Sequence, residues 1–480
     1  MNSPKNHDCL YHALQHYAGR DFTSFHMPGH KGRAMFSHEL PWHLDITEIH
    51  GFDNLHAPDG ILQAASERAA ALWKSDASFF LVGGSTAGIL AGIYATVNAG
   101  DQILVARNCH KSVYHAMELL DLSPIFLDPP QIEHTGVLGS ISPSQVRTAL
   151  DMHPDIRLCI LVSPTYEGIL SDISGISGLL KAKKIPLFVD EAHGAHFGLS
   201  PHFPTSAIMQ GADLVVQSLH KTLPSLTQTA ILHTAGKQIS NERVRHALGI
   251  FQSSSPSYPL MSAIDGCVSF LREECTAQLA AWHMRLERFY TQANNLQNLH
   301  LLHQDCSPKH IFALDPSKIT ILCQNANITG HQLEALLREQ YQIQLEMALP
   351  THALAMSGMG NTEEDFAKLY SALSDIDQNV SSAEYFSSPL PLPPFGGAQL
   401  SIRQALQAEK RTFSFAESLG QISASYVWVM PPCVPILIPG TEITAEILTY
   451  LGQLEPEIIL QDKQTPAGFL ACVDKSPKML

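Results

Sequence analysis

The sequence predicts an α/β protein with a large domain built on a mainly parallel sheet, followed by a smaller C-terminal α+β domain. Between about residues 76 and 234, short apolar runs alternate with helix-length amphipathic segments, which is the pattern of parallel strands joined by helices. Beyond about residue 305 the pattern changes to short strands mixed with helices. The 480 residues also exceed the roughly 250 to 300 residues over which a single core keeps growing. We therefore expect at least two domains.

The chain divides into three predicted segments: an N-terminal arm over residues 1–60, a large domain over 61–304 and a small domain over 305–480. The first segment is rich in polar and turn-forming residues, which suits an arm laid over a surface. Residues 387–397 contain so much Pro and Gly that we expect an extended connector there. Two helices are predicted in the small domain, over 330–340 and 362–377.

Six apolar runs are predicted to be strands of the large domain. They span residues 78–82, 102–106, 158–162, 186–189, 214–216 and 229–232. Several of these runs are followed directly by polar residues. Because the carboxyl ends of parallel strands meet at one edge of a sheet, we expect these polar side chains to lie together.

The composition excludes several classes of function. Apolar residues make up 45% of the chain and charged residues 16%, with a formal net charge of −15, so a basic nucleic-acid-binding surface is not expected. The N-terminus has no apolar signal core, and no apolar run reaches the roughly 18 residues that a membrane span requires. Nine cysteines occur without a C-x-x-C pair, which is typical of reduced thiols. We expect a cytoplasmic protein that binds neither nucleic acid nor membrane.

Lys221 and Asp190 carry the strongest chemical signal, since each follows a predicted strand. A lysine can form a Schiff base with an aldehyde cofactor, and a carboxylate can keep the pyridine nitrogen of pyridoxal 5'-phosphate (PLP) protonated. Ser218 and His220, beside the lysine, are donors suited to a phosphate. This combination predicts a PLP site at the sheet edge rather than a solvated surface lysine.

A Gly-rich turn over residues 83–88 leads from one predicted strand into an apolar helix. The N-terminus of a helix binds phosphate through its unpaired backbone N–H groups and its dipole, and the hydroxyls of Ser85 and Thr86 would add to such a site. The turn is not a nucleotide P-loop, because no Gly-Lys-Ser/Thr sequence closes it. We therefore assign it to the phosphate of PLP.

Histidines add two candidate contacts to the cofactor. His110 follows a strand and can stack on the pyridine ring, although an isolated histidine can also simply cap a helix or fill a loop. His193 stands three residues after Asp190 and can reach the phenolic oxygen. The close pairs His26 with His30 and His193 with His196 raise the alternative of zinc, but no third ligand stands at a fixed spacing, so we predict no metal site.

Seven motifs, in this order along the chain, resemble those of the Orn/Lys/Arg decarboxylases, PLP enzymes of the aspartate-aminotransferase fold (fold type I). They are HMPGHKG at 26–32, DITE at 45–48, GSTAG at 84–88, NCHKS at 108–112, SPTYEG at 163–168, DEAHGAH at 190–196 and SLHKTLP at 218–224. The resemblance covers nearly the whole chain and is to the short bacterial members, which lack the N-terminal wing domain of the large inducible enzymes.

The resemblance implies a role for each matching position. Lys221 would be the catalytic Schiff-base lysine, with Asp190 on the pyridine nitrogen and His110 as the stacked catalytic histidine. The phosphate would be held by Ser85, Thr86, Ser218 and His220, and His193 would approach the phenolic oxygen. In this family the site forms between two subunits, which implies a homodimer, or a higher homo-oligomer, with the arm contributing to the partner's site.

The predicted reaction is decarboxylation of an amino acid, most simply arginine, lysine or ornithine, to CO2 and a primary amine or polyamine precursor. The C-terminal segment departs from the family, which usually has a glutamate where Thr441 stands. That carboxylate is implied to hold the distal cation of the substrate, so Glu442, Asp45 and Glu48 become further candidates for this contact. The departure leaves open a non-standard amino acid as the substrate.

Two other interpretations remain open. The same lysine, aspartate and phosphate cup also serve oxoamine synthases and aminotransferases, and the run Asp190 to His193 alone would suit the former. A non-enzymatic protein that retains the fold is the second alternative. The intact Lys221 argues against it, because such scaffolds tend to lose the nucleophile.

Overall fold

The computed structural model describes residues 22–25, 31, 48, 52–383, 390–429, 434–454, 459–461 and 465–474. The strands are β1 (Thr23–Phe25), β2 (Ala77–Leu81), β3 (Gln102–Ala106), β4 (Ser123–Leu127), β5 (Ile156–Val162), β6 (Ile169–Leu170), β7 (Leu187–Asp190), β8 (Leu214–Ser218), β9 (Ala230–Thr234), β10 (His300–Leu301), β11 (Ala313–Leu314), β12 (Lys318–Leu322), β13 (Ile343–Leu345), β14 (Met347–Ala348), β15 (His352–Met356), β16 (Lys410–Ser414), β17 (Val427–Val429), β18 (Val434–Leu437), β19 (Ile459–Leu460) and β20 (Phe469–Val473). The α-helices are α1 (Ile61–Trp73), α2 (Gly84–Thr96), α3 (Lys111–Leu120), α4 (Pro143–Met152), α5 (Ile173–Ala182), α6 (Leu219–Thr222), α7 (Asn241–Phe251), α8 (Tyr258–Ala293), α9 (Gly330–Gln340), α10 (Glu363–Asn379), α11 (Ile402–Gln407) and α12 (Ala445–Gly452).

A seven-stranded sheet forms the centre of the large domain, in the order β2-β9-β8-β7-β5-β3-β4. Its pairs from β8 through β4 are parallel, and β9 runs antiparallel to both β8 and β2. Every residue of β7, β8 and β9 is buried, so these strands appear in the sequence as continuous apolar runs. All six predicted strands are present. The edge strand β4 was not predicted, because its Pro124 disfavours a central strand but is tolerated at an edge.

The register of the sheet brings the predicted functional segments together. Val162 at the end of β5 pairs with Asp190 at the end of β7, and Asp190 in turn pairs with Val216 of β8. Ser218, which ends β8, and Lys221 in the single-turn helix α6 follow immediately. The carboxyl ends of three adjacent parallel strands therefore meet at one place.

The second region packs against this edge through an antiparallel sheet, β10-β12-β15-β14, which begins at His300. The 36-residue helix α8 and helices α9 and α10 cover it and share its apolar core. The structure confirms the helix predicted over 330–340, and the second helix runs from Glu363 to Asn379. Strand β1 pairs in parallel with β13 of this region.

The C-terminal region contains the small sheets β18-β17-β19 and β16-β20, which share a separate apolar cluster. Residues 390–397 of the predicted connector form no helix or strand, and residues 387–389 lie outside the described residues. Arg107, which is 1% exposed, donates hydrogen bonds to the carbonyl of Pro393 in this connector and to the carbonyl of Pro435 in β18, and so attaches both to the large domain. Its guanidinium also lies 3.9 Å from the centre of the Phe395 ring. Within the described ranges, no helix combines the length and apolarity needed to cross a bilayer.

Candidate active site

A cavity of about 250 Å³ opens at the carboxyl ends of β5, β7 and β8. It is lined by Gly84, Ser85, Thr86, Ile89, Asn108, Cys109, His110, Leu138, Val162, Thr165, Tyr166, Glu167, Asp190, Ala192, His193, Ser218, His220, Lys221 and Val434. All eight residues predicted to contact the cofactor are in this set. A larger surface depression of about 720 Å³ lies beside the edge strand β2 and contains none of them, so the smaller cavity is the candidate site.

Lys221 is partly exposed to the cavity, and its Nζ lies 2.8 Å from Nε2 of His193. Desolvation by the enclosing protein lowers the pKa of Lys221 to about 8, with the negative charge of Asp190 opposing this shift and Lys318 adding to it. A lysine with this pKa is partly neutral near physiological pH. Since the neutral amine is the nucleophilic form, the site favours covalent chemistry at Nζ.

Asp190 ends β7 and is 4% exposed. The backbone N–H of Ala192 donates to its Oδ1 at 3.1 Å, which fixes the carboxyl group. Burial raises the pKa of Asp190, and the positive charge of Lys221 opposes this shift. A protonated ring nitrogen facing this carboxyl would complete a buried ion pair, which favours the ionised form of both groups.

The N-terminus of α2 forms one wall of the cavity. No side chain caps this end of the helix, and Gly84 adopts a positive φ of 69° at its start. The hydroxyl of Ser85 is hydrogen-bonded to that of Ser218. The Nδ1–H group of His220 donates a hydrogen bond to the carbonyl of Thr229 at 2.9 Å, and this contact orients the ring. Backbone N–H groups and hydroxyls therefore converge where a phosphate could bind.

His110 caps α3 at the mouth of the cavity, where its Nδ1 lies 2.8 Å from the hydroxyl of Ser112. Although the residue is exposed, desolvation by the cavity walls and the charge of Lys221 lower its pKa to about 4. His193 is buried, and burial followed by Lys221 holds its pKa well below the ordinary value. Both imidazoles are therefore neutral at physiological pH. The ring of His193 lies 4.6 Å from that of Tyr166, between centroids.

An ionic cluster behind His193 was not predicted from the sequence. Lys318 donates from Nζ to the carbonyl of His193 at 3.2 Å and to Oδ2 of Asp315 at 3.4 Å. His196 Nε2 lies 3.2 Å from Oδ1 of Asp315, and the side chains of Asp315, Lys318 and His196 have no solvent exposure. Burial alone would raise the pKa of Asp315, but His196 and Lys318 together lower it. In sequence, Asp315 and Lys318 look like ordinary turn residues, and only their packing reveals the cluster.

Two carboxyl groups near the cavity also lacked a predicted role. Glu346 accepts a hydrogen bond from the Tyr166 hydroxyl at 2.6 Å, and its charge opposes the burial that lowers the pKa of Lys31 to about 7. Glu167 lines the cavity directly and is 4% exposed. Tyr166 and Glu167 belong to the SPTYEG motif at 163–168, but the sequence pattern predicts no function for either residue.

The residues present fit PLP. Among the described residues, His193 Nδ1 and Asn108 Oδ1 are buried polar atoms without a hydrogen-bond partner, and both residues line the cavity. Buried polar atoms are normally paired, so these two point to a ligand with complementary groups. Together with the uncapped end of α2 and the carboxyl of Asp190, they suit a polar ring that carries a phosphate.

Three of the four predicted substrate contacts, Glu48, Thr441 and Glu442, are described by the structure, and none of them lines the cavity of a single chain. Asp45 lies outside the described residues, and Glu48 is exposed and is absent from the cavity lining. Thr441 is 3% exposed, and its hydroxyl donates to the carbonyl of Ile438 at 2.8 Å. Glu442 is exposed, and its backbone N–H donates to Gly397.

Of the two histidine pairs that raised the alternative of zinc, the structure describes His193 and His196, and the two side chains contact different residues. His193 faces Lys221, whereas His196 contacts Asp315. His26 and His30 lie outside the described residues.

Comparisons with known proteins agree with this geometry. The family described as Orn/Lys/Arg decarboxylase, major domain, matches residues 8–365. The arginine decarboxylase of Bacillus subtilis (strain 168) is 32% identical over 453 residues, which cover 92% of each chain. The inducible lysine decarboxylase of Escherichia coli (strain K12) is 22% identical, over 93% of this chain and 77% of that protein.

Solved structures show the same fold at lower identity. The lysine decarboxylase of Francisella novicida superposes with a TM-score of 0.75 at 20% identity, covering 90% of this chain and 74% of that one. An alanine–glyoxylate aminotransferase from Nostoc gives a TM-score of 0.53 at 16% identity, over 66% of this chain and 86% of that one. The fold type I expected from the sequence is thereby confirmed. The family model matches residues 8–365, and the B. subtilis arginine decarboxylase is 32% identical over 92% of each chain. The chain therefore belongs to the Orn/Lys/Arg decarboxylase family.

Proposed function

We propose that this protein is a PLP-dependent decarboxylase that converts a basic amino acid, arginine, lysine or ornithine, into CO2 and a primary amine. The observation that carries the proposal is the convergence of Lys221, Asp190 and the end of α2 in one cavity. Relatives named arginine decarboxylase and lysine decarboxylase support the substrate class. When bound, PLP supplies a protonated ring that accepts the electron pair of the breaking bond between Cα and the carboxylate.

The residues of the chain have separate roles in this proposal. Lys221 provides the amine that holds the cofactor covalently, and Asp190 holds the proton on its ring nitrogen. The first turn of α2, with Ser85, Thr86, Ser218 and His220, binds the phosphate. His110, whose ring is oriented by Ser112, covers one side of the cofactor as a neutral imidazole. These residues would hold the cofactor by its phosphate, its ring nitrogen and its aldehyde carbon.

His193 is the hydrogen-bond partner that orients Lys221. Its Nε2 is 2.8 Å from Lys221 Nζ, and both groups have pKa values below their ordinary ones. Because the pKa of His193 lies well below that of Lys221, the neutral imidazole accepts a hydrogen bond from Lys221 and orients its Nζ in the cavity. A neutral Lys221 also leaves no unpaired ammonium group in this enclosed site.

We further propose a homodimer, or a higher homo-oligomer, in the cytoplasm. The dimer rests on the family resemblance, in which two subunits share each site. The cytoplasmic location is supported by the described cysteines, which are free thiols and mostly buried. Light scattering of the purified protein tests the assembly, and a monomer that retains full activity would contradict it.

The reaction is tested by incubating the purified, PLP-loaded protein with arginine, lysine, ornithine and neutral amino acids, while CO2 and amine are measured. Release of both from a basic amino acid, without added keto acid or acyl thioester, supports the proposal. Turnover that requires a keto acid would indicate an aminotransferase, and turnover that requires an acyl thioester would indicate an oxoamine synthase. Either result would overturn the decarboxylase proposal.

A further inference from the structure

We propose that Glu167 binds the distal cation of the substrate, and so selects an α-amino acid whose side chain ends in an ammonium or guanidinium group. The inference rests on the proposed function and extends it to the residue that sets substrate preference. Glu167 follows β5 and lines the same cavity as Lys221, while only 4% of its surface is exposed. A buried carboxyl group at the wall of a ligand cavity requires a partner of opposite charge or a proton.

Hydrogen bonds hold both the side-chain carboxyl group and the backbone carbonyl of Glu167 in place. The hydroxyl of Thr165 donates to its Oε2 at 3.2 Å, and the hydroxyl of Thr320, from β12 of the second region, donates to its backbone carbonyl at 3.4 Å. The carboxyl group is therefore oriented by one domain while its backbone is anchored to the other. Such a preorganised acceptor loses little conformational entropy when it binds a ligand.

The other acidic groups around the cavity already have cationic neighbours. Asp190 experiences the charge of Lys221, and Glu346 accepts the Tyr166 hydroxyl and stabilises the charged form of Lys31. Across the described part of the chain, Glu167 forms no salt bridge and no cationic side chain affects its pKa, which burial raises. Its environment provides hydrogen bonds to the carboxylate but no positive charge.

A cationic substrate would supply that missing charge. Binding an ammonium or guanidinium group beside Glu167 would lower its pKa and form a desolvated, charge-assisted hydrogen bond. A substrate with a neutral side chain would leave the same carboxyl without a counter-charge. Thr441, which replaces the glutamate that the family resemblance implies, cannot substitute, because its hydroxyl is bonded to Ile438 and it does not line this cavity.

The first test compares substrates that differ mainly in charge. Arginine is paired with citrulline, and lysine with norleucine, and kcat/KM is measured for each with the wild type and Glu167→Gln. We expect the wild type to prefer the cation of each pair. Glu167→Gln should reduce that preference at least tenfold, through a lower kcat/KM for the cationic substrate and little change for the neutral one.

Glu191→Gln is the matched control, because Glu191 is 2% exposed and does not line the cavity. Its carboxylate is bonded instead to Ser206, Gln217 and the N–H of Ala207. This variant should leave the ratio of cationic to neutral substrate unchanged. If Glu167→Gln does not fold, Glu167→Asp replaces it. That variant keeps the charge and shifts its position, so we expect a smaller loss of preference, confined to the cationic substrate.

Calorimetry provides a second measurement that does not depend on turnover. The full-length, PLP-loaded protein is titrated with 1,5-diaminopentane and with pentylamine, which lacks the second ammonium. The wild type should bind the diamine at least tenfold more tightly, and its preference should increase as the pH rises through the raised pKa of Glu167, because only the carboxylate attracts the cation.

The outcomes distinguish this inference from the proposed function. If no amino acid is decarboxylated, the proposed function fails, whatever Glu167 does. If a basic amino acid is decarboxylated but folded Glu167→Gln or Glu167→Asp keeps the full preference for the cation, the function stands and Glu167 is not the cation site. A wild type that prefers the neutral member of both pairs would also overturn the inference.

Discussion

Lys221 and Lys318 lie on opposite sides of His193 and have different surroundings. Lys221 contacts the ring of His193 from the cavity, where its partner is a neutral imidazole. Lys318 contacts the backbone carbonyl of His193 from the interior and also pairs with Asp315. The first lysine is partly exposed to a ligand cavity, and the second has no exposed side-chain surface.

This difference separates a reactive lysine from a structural one. Lys318 meets a carboxylate and a carbonyl, so its ammonium form is stabilised despite the burial that lowers its pKa. Lys221 has only the more distant charges of Asp190 and Glu346 to offset desolvation, and its pKa falls to about 8. A buried lysine is nucleophilic when no anionic group contacts it directly, because its neutral form is then accessible. It has a structural role when a direct anionic contact stabilises its ammonium form.

The largest effect should follow from Lys221→Ala, which removes the amine. We expect turnover to fall at least about 10⁴-fold, because the nucleophile is absent, while the melting temperature changes little. Borohydride treatment followed by peptide mass spectrometry should find a pyridoxyl group on Lys221 of the wild type and none in the variant. Lys237→Ala, at an exposed lysine, is the control. Absence of the modification from wild-type Lys221 would contradict its assigned role.

Asp190→Asn should have the next largest effect, since it removes the charge that offsets the desolvation of Lys221 and is proposed to hold the ring proton. Turnover should fall about 10³-fold, equivalent to about 4 kcal/mol of transition-state stabilisation. The phosphate contacts remain intact, so PLP should still bind, as its visible absorption would show. Turnover within a few-fold of the wild type would mean that Asp190 does not contact the ring nitrogen.

Lys318→Met should affect stability more than chemistry. It leaves the buried carboxylate of Asp315 without its ammonium partner, which should cost about 3 to 5 kcal/mol in the free energy of unfolding. Urea unfolding at neutral pH measures this loss, and combining Lys318→Met with Asp315→Asn should recover part of it. A variant as stable as the wild type would show that the two lysines do not differ as described.

The pH dependence of stability gives a further check on the same cluster. The folded pKa of Asp315 lies below its ordinary value of 3.8, so its stabilising contribution is complete above about pH 4. That contribution should disappear as the pH falls through the lowered pKa. Asp315→Asn should therefore lose stability at neutral pH and converge on the wild type in strong acid.

Thr441→Glu should have the smallest effect on specificity. The side chain is buried within the C-terminal region, outside the cavity, so kcat/KM for a basic amino acid should change less than about twofold per folded enzyme. Glu442→Gln should likewise have little effect. An increase near tenfold in Thr441→Glu would instead show that this segment reaches a substrate site in the assembled protein, as the family resemblance implies.

The residues predicted to bind the cofactor line one cavity because strands place them there. Asp190 and Ser218 end apolar runs that are buried on both faces, and parallel strands leave no other edge for these groups to occupy. The sequence could not reveal the contact of Lys318 with the His193 carbonyl, since Lys318 begins β12 and His193 lies in the loop after β7, 125 positions away. The burial of Glu167 at the cavity wall was equally hidden, because a glutamate in a polar turn gives no sign of burial.

The sequence alone determined the fold type, the family and eight of the residues that line the cavity, because hydrophobic periodicity and the order of short motifs are local properties of the chain. Tertiary structure decided the charge state and partners of each group. It separated Lys221 from Lys318, left Glu167 without a cation and buried Thr441 away from the cavity. Electrostatic energies depend on burial and on neighbours distant in sequence, and only the folded chain sets both.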